Sequence, residues 1–329
     1  MRLSRFGPAA ALAAILIAAA LALPTLGRDA AEPVRQPGFQ DTVAKALPSV
    51  LQIRTETGLG SGVVFDGDGH VVTNAHVVAG ARRFEVTTAE GKTHRATLRG
   101  TFPEGDLAVI RVEGASLTPA TFADSSAVEV GEVALAIGNP LGLRSSVTQG
   151  IVSSTSRTVS EGNGIALPSV IQTSAPINPG NSGGALVNGS GAVIGIPTLS
   201  AVEPGMGGGI APGIGFAISS NTVQSIAGQL ARTGRVARSA RAWLGVALRS
   251  LPQGGVVVAG VTRGGPAADA GMRQGDLIER FAGRGVATVD ELAVALAGEP
   301  PGRAVPVVLG KDGGARTVRV TLGELPEAP

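Results

Sequence analysis

From Pro37 to about Asn221 the chain alternates apolar and polar positions in short runs, each cut by Gly, Asp, Asn or Pro. β-Branched residues crowd positions 50–55, 62–65, 70–73, 84–88, 107–112, 133–137 and 192–196, which are strand lengths rather than helix lengths. Many short strands at that spacing predict a mainly β unit, a barrel or a sandwich. Asp66-Gly67-Asp68-Gly69 supplies a hairpin turn between two of them. The period then changes: Val223, Ile226, Ala227 and Leu230 share one face of a helix of about three turns. Asn221 is predicted as its N-cap and Gly234 as its end.

Residues 232–241 carry four Arg and one long apolar side chain, Val236, and read as a linker or a solvated face. A second unit begins near Ala242. It shows a strand at 255–261, a turn at Gly264-Gly265-Pro266, a short helix at 267–270 and a strand at 277–281. A Thr288-x-x-Glu291 capping box opens a helix that aligns Val289, Leu292, Ala293 and Leu296 and stops at Gly298. Runs at 305–309 and 317–322 around Lys311-Asp312-Gly313-Gly314 read as a hairpin. The expected boundaries are a leader or anchor at 1–35, a first domain at 36–234, a linker at 235–241 and a second domain at 242–325.

Arg2 and Arg5 precede an apolar run over 8–26 rich in Ala and Leu, the order of an export signal. Ala20-Leu21-Ala22 offers a small-x-small cleavage site, yet the apolar stretch also approaches the ~20 residues that span a bilayer. A cleaved leader and a membrane anchor both fit. Either places the remainder outside the cytoplasm, in the periplasm or cell envelope.

The length of 329 residues suits two domains, and a hydrophobic fraction of 43% is ample for packed cores. Forty-nine glycines without a fixed period favour tight turns over long helices. With no cysteine, thiol nucleophiles, disulfides and Cys-based zinc sites are excluded. Arg2, Arg5, Arg28 and Arg35 against Asp29 and Glu32 account for the whole net charge of +2, so the basic pI reflects no cationic surface. Aromatic residues at 3% offer few platforms for stacked bases, and nucleic acid is not an expected partner. No metal, nucleotide or organic cofactor motif is visible, since Gly207-Gly208-Gly209 lacks a phosphate-loop context.

The segment richest in chemistry is Asn178-Pro179-Gly180-Asn181-Ser182-Gly183-Gly184. A serine hydroxyl is a weak nucleophile; it needs a base for its proton and donors for the oxyanion it creates. The glycines let the backbone turn so that the amides of Gly180 and Ser182, with Asn181 as a further candidate, converge on one point. His76 follows a β-run in Val71-Val72-Thr73-Asn74-Ala75-His76, while His70 and His94 are expected to be exposed. Asp106 opens the apolar run Leu107-Ala108-Val109-Ile110, where a buried charge needs a partner. Pairing with His76 would satisfy it, fix the imidazole tautomer and stabilise the imidazolium formed when His76 takes the Ser182 proton. The chain order His, Asp, Ser is that of the chymotrypsin fold.

With these residues in place, the chain after about Phe39 resembles the HtrA (Do-like, Deg) proteases. The resemblance is carried by Gly60-Ser61-Gly62-Val63-Val64, residues 73–78 and 106–110, Ala136-Ile137-Gly138-Asn139-Pro140, Gly150-Ile151-Val152-Ser153, 177–186 and Gly213-Ile214-Gly215-Phe216-Ala217-Ile218. The second unit resembles that family's PDZ domain in Trp243-Leu244-Gly245-Val246, in 265–272 and in Gly275-Asp276-Leu277-Ile278. The resemblance implies a chymotrypsin-like pair of six-stranded β-barrels followed by one small α+β PDZ domain. It implies an ATP-independent serine endopeptidase acting on misfolded or regulatory envelope proteins, with Ile196, Pro197 and Thr198 along the substrate. Trp243, Leu244, Gly245 and Val246 are the implied peptide-binding residues of the PDZ domain, whose ligands are C-terminal peptides. A homotrimer is the implied assembly, and a loop over 157–167 is the implied sensor of PDZ occupancy. A catalytically idle chaperone or a PDZ-based scaffold is the alternative function.

No acidic residue stands between Glu161 and Glu203, and Pro176 occupies the position six residues before Ser182. A pocket for Lys or Arg would hold a carboxylate there, so small or branched apolar residues are expected before the scissile bond. Two departures from the family pattern are Ser174 in place of a usual Asp and Pro197 in place of a common Asn, which removes a backbone donor.

Overall fold

The computed structural model describes residues 38–139, 146–162, 164–178, 180–203, 209–251, 254–311 and 314–326. The predicted leader, Pro140, Pro179 and the tip of the last hairpin lie outside the described residues. Helix α1 (Phe39–Ala46) leads into the first barrel, built from β1 (Val50–Arg54), β2 (Leu59–Val64), β3 (His70–Thr73), β4 (Phe84–Thr87), β5 (Thr93–Phe102) and β6 (Leu107–Val112). Helix α2 (Ala75–Val78) follows β3 directly. The strands close in the order β1-β2-β3-β6-β5-β4, all antiparallel.

The second barrel repeats the plan with β7 (Val133–Gly138), β8 (Ser146–Gly162), β9 (Ile165–Thr173), β10 (Ala185–Asn188), β11 (Val193–Glu203) and β12 (Gly209–Ser219). Its order is β10-β11-β12-β9-β8-β7. Closure leaves neither barrel an edge strand to pair with a neighbour. Leu51, Ile53, Val71 and Ile110 fill one barrel, Ile171, Leu186 and Ile194 the other, all fully buried. Helix α3 (Ser220–Thr233) seals the junction by packing Val223, Ile226, Ala227 and Leu230 into a core shared with Leu107, Val109, Leu135 and Ile137.

The N-cap of α3 is Ser219, which has extended dihedrals, and not the expected Asn221. Asn221 is drawn away by tertiary partners: its Oδ1 accepts from the Ser125 amide at 3.1 Å and its Nδ2 donates to Asp124 at 2.7 Å. Gly234 ends the helix in the left-handed region at φ 76°, as its position predicts.

After the two barrels, the segment from Ala242 forms a third unit, with β13 (Ala242–Trp243), β14 (Val246–Ser250), β15 (Val256–Val261), α4 (Pro266–Asp269), β16 (Leu277–Phe281), β17 (Arg284–Gly285), α5 (Val289–Ala297), β18 (Ala304–Lys311), β19 (Gly314–Thr321) and β20 (Gly323–Glu324). Phe281, Val256, Val258, Ile278, Leu292 and Val307 form its core. Half of the expected α5 capping box forms: Thr288 Oγ1 accepts from the Glu291 amide at 3.1 Å, while Glu291 Oε2 accepts at 2.7 Å from the Ala287 amide, one residue before the N-cap amide that the full motif would use. The main sheet runs β14-β15-β16-β18-β19, which leaves β14 on an edge beside α5.

Candidate active site

His76 reaches the junction of the barrels because β3 ends at Thr73 and α2 starts two residues later. Asp106 sits at the other strand end of that junction. It closes a 3-10 turn over Pro103–Gly105 in the left-handed region (φ 47°), a conformation that Asp tolerates better than most residues. The turn aims its carboxylate back at α2. Oδ1 accepts from the His76 amide at 3.0 Å, and the imidazole Nδ1 lies 2.9 Å from Oδ2. The Asp106 side chain is 4% exposed and that of His76 50%, so a buried carboxylate holds the Nδ1 edge of a ring that is half open to solvent. Burial of the imidazole is the largest single influence on its basicity and works downward; the hydrogen bond and charge of Asp106, joined by the charge of Glu161, outweigh it and raise the pKa of His76.

Ser182 lies on the turn between β9 and β10. Two glycines after it are required by close packing. A Cβ on Gly183, at φ 78°, would stand 2.2 Å from Ser61 O, and one on Gly184 would stand 2.3 Å from Ile137 O. The turn is tied to the first barrel across the junction. The Ser61 amide donates to Ser182 O at 3.0 Å, Ser61 Oγ donates to Gly180 O at 2.5 Å, and Ser61 Oγ accepts from the Asn139 amide at 2.8 Å. Thr73 Oγ1 in turn donates to Ser61 O at 2.6 Å. The strand that delivers His76 therefore also braces the serine turn.

His76, Ser182, Gly180 and Thr198 line one cleft of about 390 Å³, together with Leu59, Val77 and Ile177. Ser182 Oγ donates to Thr198 O at 3.2 Å. The Asn181 amide donates to Asn178 O at 2.9 Å, which commits it and leaves the expected set of oxyanion donors to Gly180 and Ser182. Of the three residues expected along the substrate, Thr198 lines the cleft; Ile196 and Pro197 are buried in the barrel, Ile196 fully. Pro197 falls at a register shift in the β11–β12 ladder, where a missing amide costs little. Ser174 Oγ accepts from the Ile151 amide at 3.0 Å. His70, expected to be exposed, has a side chain only 11% exposed and bonded to Asp66 at 2.8 Å across the hairpin turn.

Glu161, at the end of β8, was not singled out by its sequence context. Its carboxyl approaches Thr198 Oγ1 at 3.2 Å, and burial followed by the nearby Asp106 charge pushes its pKa up to about 7. Arg241, expected on a solvated linker, instead donates to Ala166 O on β9. The β8–β9 hairpin also meets the third unit: the Gly164 amide donates to Asp290 Oδ1 on α5 at 2.7 Å. Beside it a groove is lined by Trp243, Leu244 and Gly245 leading into β14, by Val246 and Leu248 of β14, and by Val289, Leu292, Ala293 and Leu296 from α5. Trp243 packs under the Gly245 turn, which sits at φ 77°.

Residues 60–196 match the model of the trypsin-like peptidase domain, and residues 242–322 match that of the PDZ domain. The serine protease Do-like HtrA of Lactobacillus helveticus is 38% identical over 282 residues, covering 80% of this chain and 68% of the relative. The chain belongs to the HtrA family of serine proteases. Serine protease PepD of Mycobacterium tuberculosis is 38% identical over 313 residues, covering 88% and 67%. The probable periplasmic serine endoprotease DegP-like of Chlamydia trachomatis is 37% identical, but the chain spans only 54% of its length. Among solved HtrA structures, the protease AlgW with a tripeptide shares 35% identity and a TM-score of 0.62, covering 88% of this chain and 98% of that one. The serine endoprotease from Yersinia pestis gives 34% and 0.59. The double barrel followed by a PDZ domain is thus the HtrA architecture.

Proposed function

We propose that this HtrA protein is an exported serine endopeptidase in which Ser182 is the nucleophile, His76 its general base and Asp106 the group that orients and stabilises the imidazole. The observation that carries the reading is the paired His76–Asp106 unit opening onto the same cleft as Ser182. With Nδ1–H directed at Asp106, Nε2 is left to accept a proton. At rest the Ser182 hydroxyl is held by Thr198 O. A substrate strand lying along β11 takes over that carbonyl, and the hydroxyl rotates toward His76. Attack on the substrate carbonyl transfers the Ser182 proton to Nε2, and the Gly180 and Ser182 amides receive the oxyanion. His76 then returns the proton to the leaving amine.

Leu59, Val77 and Ile177 give the cleft apolar walls, which supports cleavage after small or branched apolar residues. Cleavage of an unbiased peptide library, read by mass spectrometry, tests this: Val or Ala before the cut bond is expected, and dominant cutting after Lys or Arg overturns it.

The groove between β14 and α5 supports a second role, capture of C-terminal peptides by strand addition on the β14 edge, with the Leu244-Gly245-Val246 turn receiving the carboxylate. The β8–β9 hairpin touches α5 at Asp290 and the catalytic cleft at Thr198, so groove occupancy has a direct route to the site. Export to the periplasm or envelope is supported by the basic and apolar N-terminus and by the chlamydial relatives, which are named probable periplasmic serine endoproteases. Misfolded or regulatory envelope proteins are the substrate class, and three copies the assembly.

A further inference from the structure

The Thr198 hydroxyl stands between two carboxyl groups. Its Oγ1 lies 2.5 Å from Asp106 Oδ2 and 3.2 Å from Glu161 Oε1. A threonine hydroxyl carries one proton and two lone pairs, so it makes one full-strength donation and otherwise accepts. The much shorter contact assigns that proton to Asp106. The longer contact is then attractive only when Glu161 holds a proton of its own and donates it to Thr198 Oγ1. With both carboxyls ionised, two negative groups, one of them the buried Asp106 carboxylate, would compete for a single hydrogen.

The charged groups facing Glu161 fit this reading. Asp106, reaching over from the first barrel, opposes a negative charge on it; His76 on α2 and Arg241 after α3 favour one. The Arg241 guanidinium already donates to Ala166 O, and His76 attracts Glu161 only while itself protonated, which is the form unable to act as a base. A proton shared between His76 and Glu161 therefore leaves a competent base only when it resides on Glu161.

Resting on the assignment of His76, Asp106 and Ser182 as the catalytic unit, we propose that Glu161, as a carboxylic acid, extends that unit by one hydrogen bond and is its positioning residue. Its O–H donates to Thr198 Oγ1, which fixes the Thr198 hydroxyl on Asp106, and Asp106 in turn holds neutral His76 with Nδ1 protonated. Loss of the Glu161 proton to solvent breaks the first link, sets two carboxylates against each other across one hydroxyl and places a second negative charge beside His76. Because Glu161 sits on the hairpin that also contacts Asp290, the same event loosens the hairpin from the cleft.

The test is the pH profile of kcat and KM on a peptide with an apolar residue before the cut bond, for the wild type, Glu161→Gln and Glu161→Ala. Gln carries an amide N–H in place of the acid O–H and does not ionise. Wild-type kcat should rise as His76 loses its proton and fall again above neutrality, with KM little changed. E161Q should lack the falling limb and exceed the wild type about threefold or more at alkaline pH, whereas E161A, with no donor to Thr198, should be slower than E161Q throughout. Superimposable wild-type and E161Q profiles, or an E161Q as slow as E161A at every pH, overturn the proposal. Carbon-13 NMR of carboxyl-labelled Ser182→Ala protein, with Glu161 assigned by its loss in the E161Q variant, reads the same group without hydrolysis. A Glu161 titration near neutrality that Thr198→Val displaces supports the relay, and an ordinary glutamate titration overturns it. A wild type with no Ser182-dependent hydrolysis would instead refute the proposed function, and the NMR titration would still decide the relay.

Discussion

Ser61 Oγ, buried in β2 of the first barrel, donates to the carbonyl of Gly180 in the serine turn of the second barrel at 2.5 Å. The same oxygen accepts from the Asn139 amide. One side chain thus satisfies two backbone groups that belong to different loops of the second barrel, and it does so from the first. Ser61→Ala leaves both without this partner, at a cost of about 1–3 kcal/mol for a buried group left unpaired. The expected outcome is a lower Tm together with a fall in kcat of tenfold or more, with a smaller change in KM. Thermal unfolding and steady-state kinetics on the same preparation check this.

Gly183 meets both limits on a glycine, a left-handed φ and no room for a Cβ beside Ser61 O. Gly183→Ala should displace the serine turn by more than a local adjustment can absorb. Its reaction with a fluorophosphonate should be slowed at least tenfold, while far-UV circular dichroism retains the β signal.

Asp106→Asn should keep the shape of the site and lose most of its rate, by about four orders of magnitude, because the amide no longer holds the required imidazole tautomer. It also ends the competition for the Thr198 proton. Rates followed over a long incubation, with Ser182→Ala as the background, measure this.

Stability should depend on pH through Glu161. Its folded pKa, raised from 4.5 to about 7, means that the native state binds the proton more tightly than the unfolded chain. The associated stability is fully present below the unfolded value of 4.5 and is lost as pH rises through about 7. Glu161→Gln should match the wild type in Tm near pH 4.5 and exceed it above neutrality, a gap that calorimetry across the window will show.

Leu292 and Leu296 line the groove from α5, and Leu292 is also a core residue, so Leu296→Glu is the cleaner probe. It should weaken binding of a peptide with an apolar C-terminal residue by about tenfold or more without unfolding the PDZ domain. Isothermal titration calorimetry gives the affinity directly.

The sequence patterns showed some parts of this molecule plainly and hid others for identifiable reasons. Strands such as Leu107–Val112 and His70–Thr73 were legible because they bury most of their side chains. The long β8 was not. Its positions are mostly exposed or half-buried, and it is held by pairing with β7 and β9 instead of by an apolar face. Asn221 looked like a cap because a residue of that type before an apolar face usually is one; only the fold brings Asp124 and Ser125 to it. His76, Asp106 and Ser182 could be named since each residue type in that order has few other uses. Glu161 could not: its environment is made by Thr198 and Asp106, which lie 37 and 55 positions away in the chain. The lone acid ahead of a span without carboxylates was the available signal.

The most direct measurement is covalent labelling of the folded protein by a fluorophosphonate, with the modified residue located by mass spectrometry. A single adduct on Ser182, lost in Ser182→Ala and strongly slowed in His76→Ala, is the predicted result. No adduct, an adduct on another serine, or peptide cleavage that survives Ser182→Ala would contradict the assignment of His76, Asp106 and Ser182 as one proton-transferring unit.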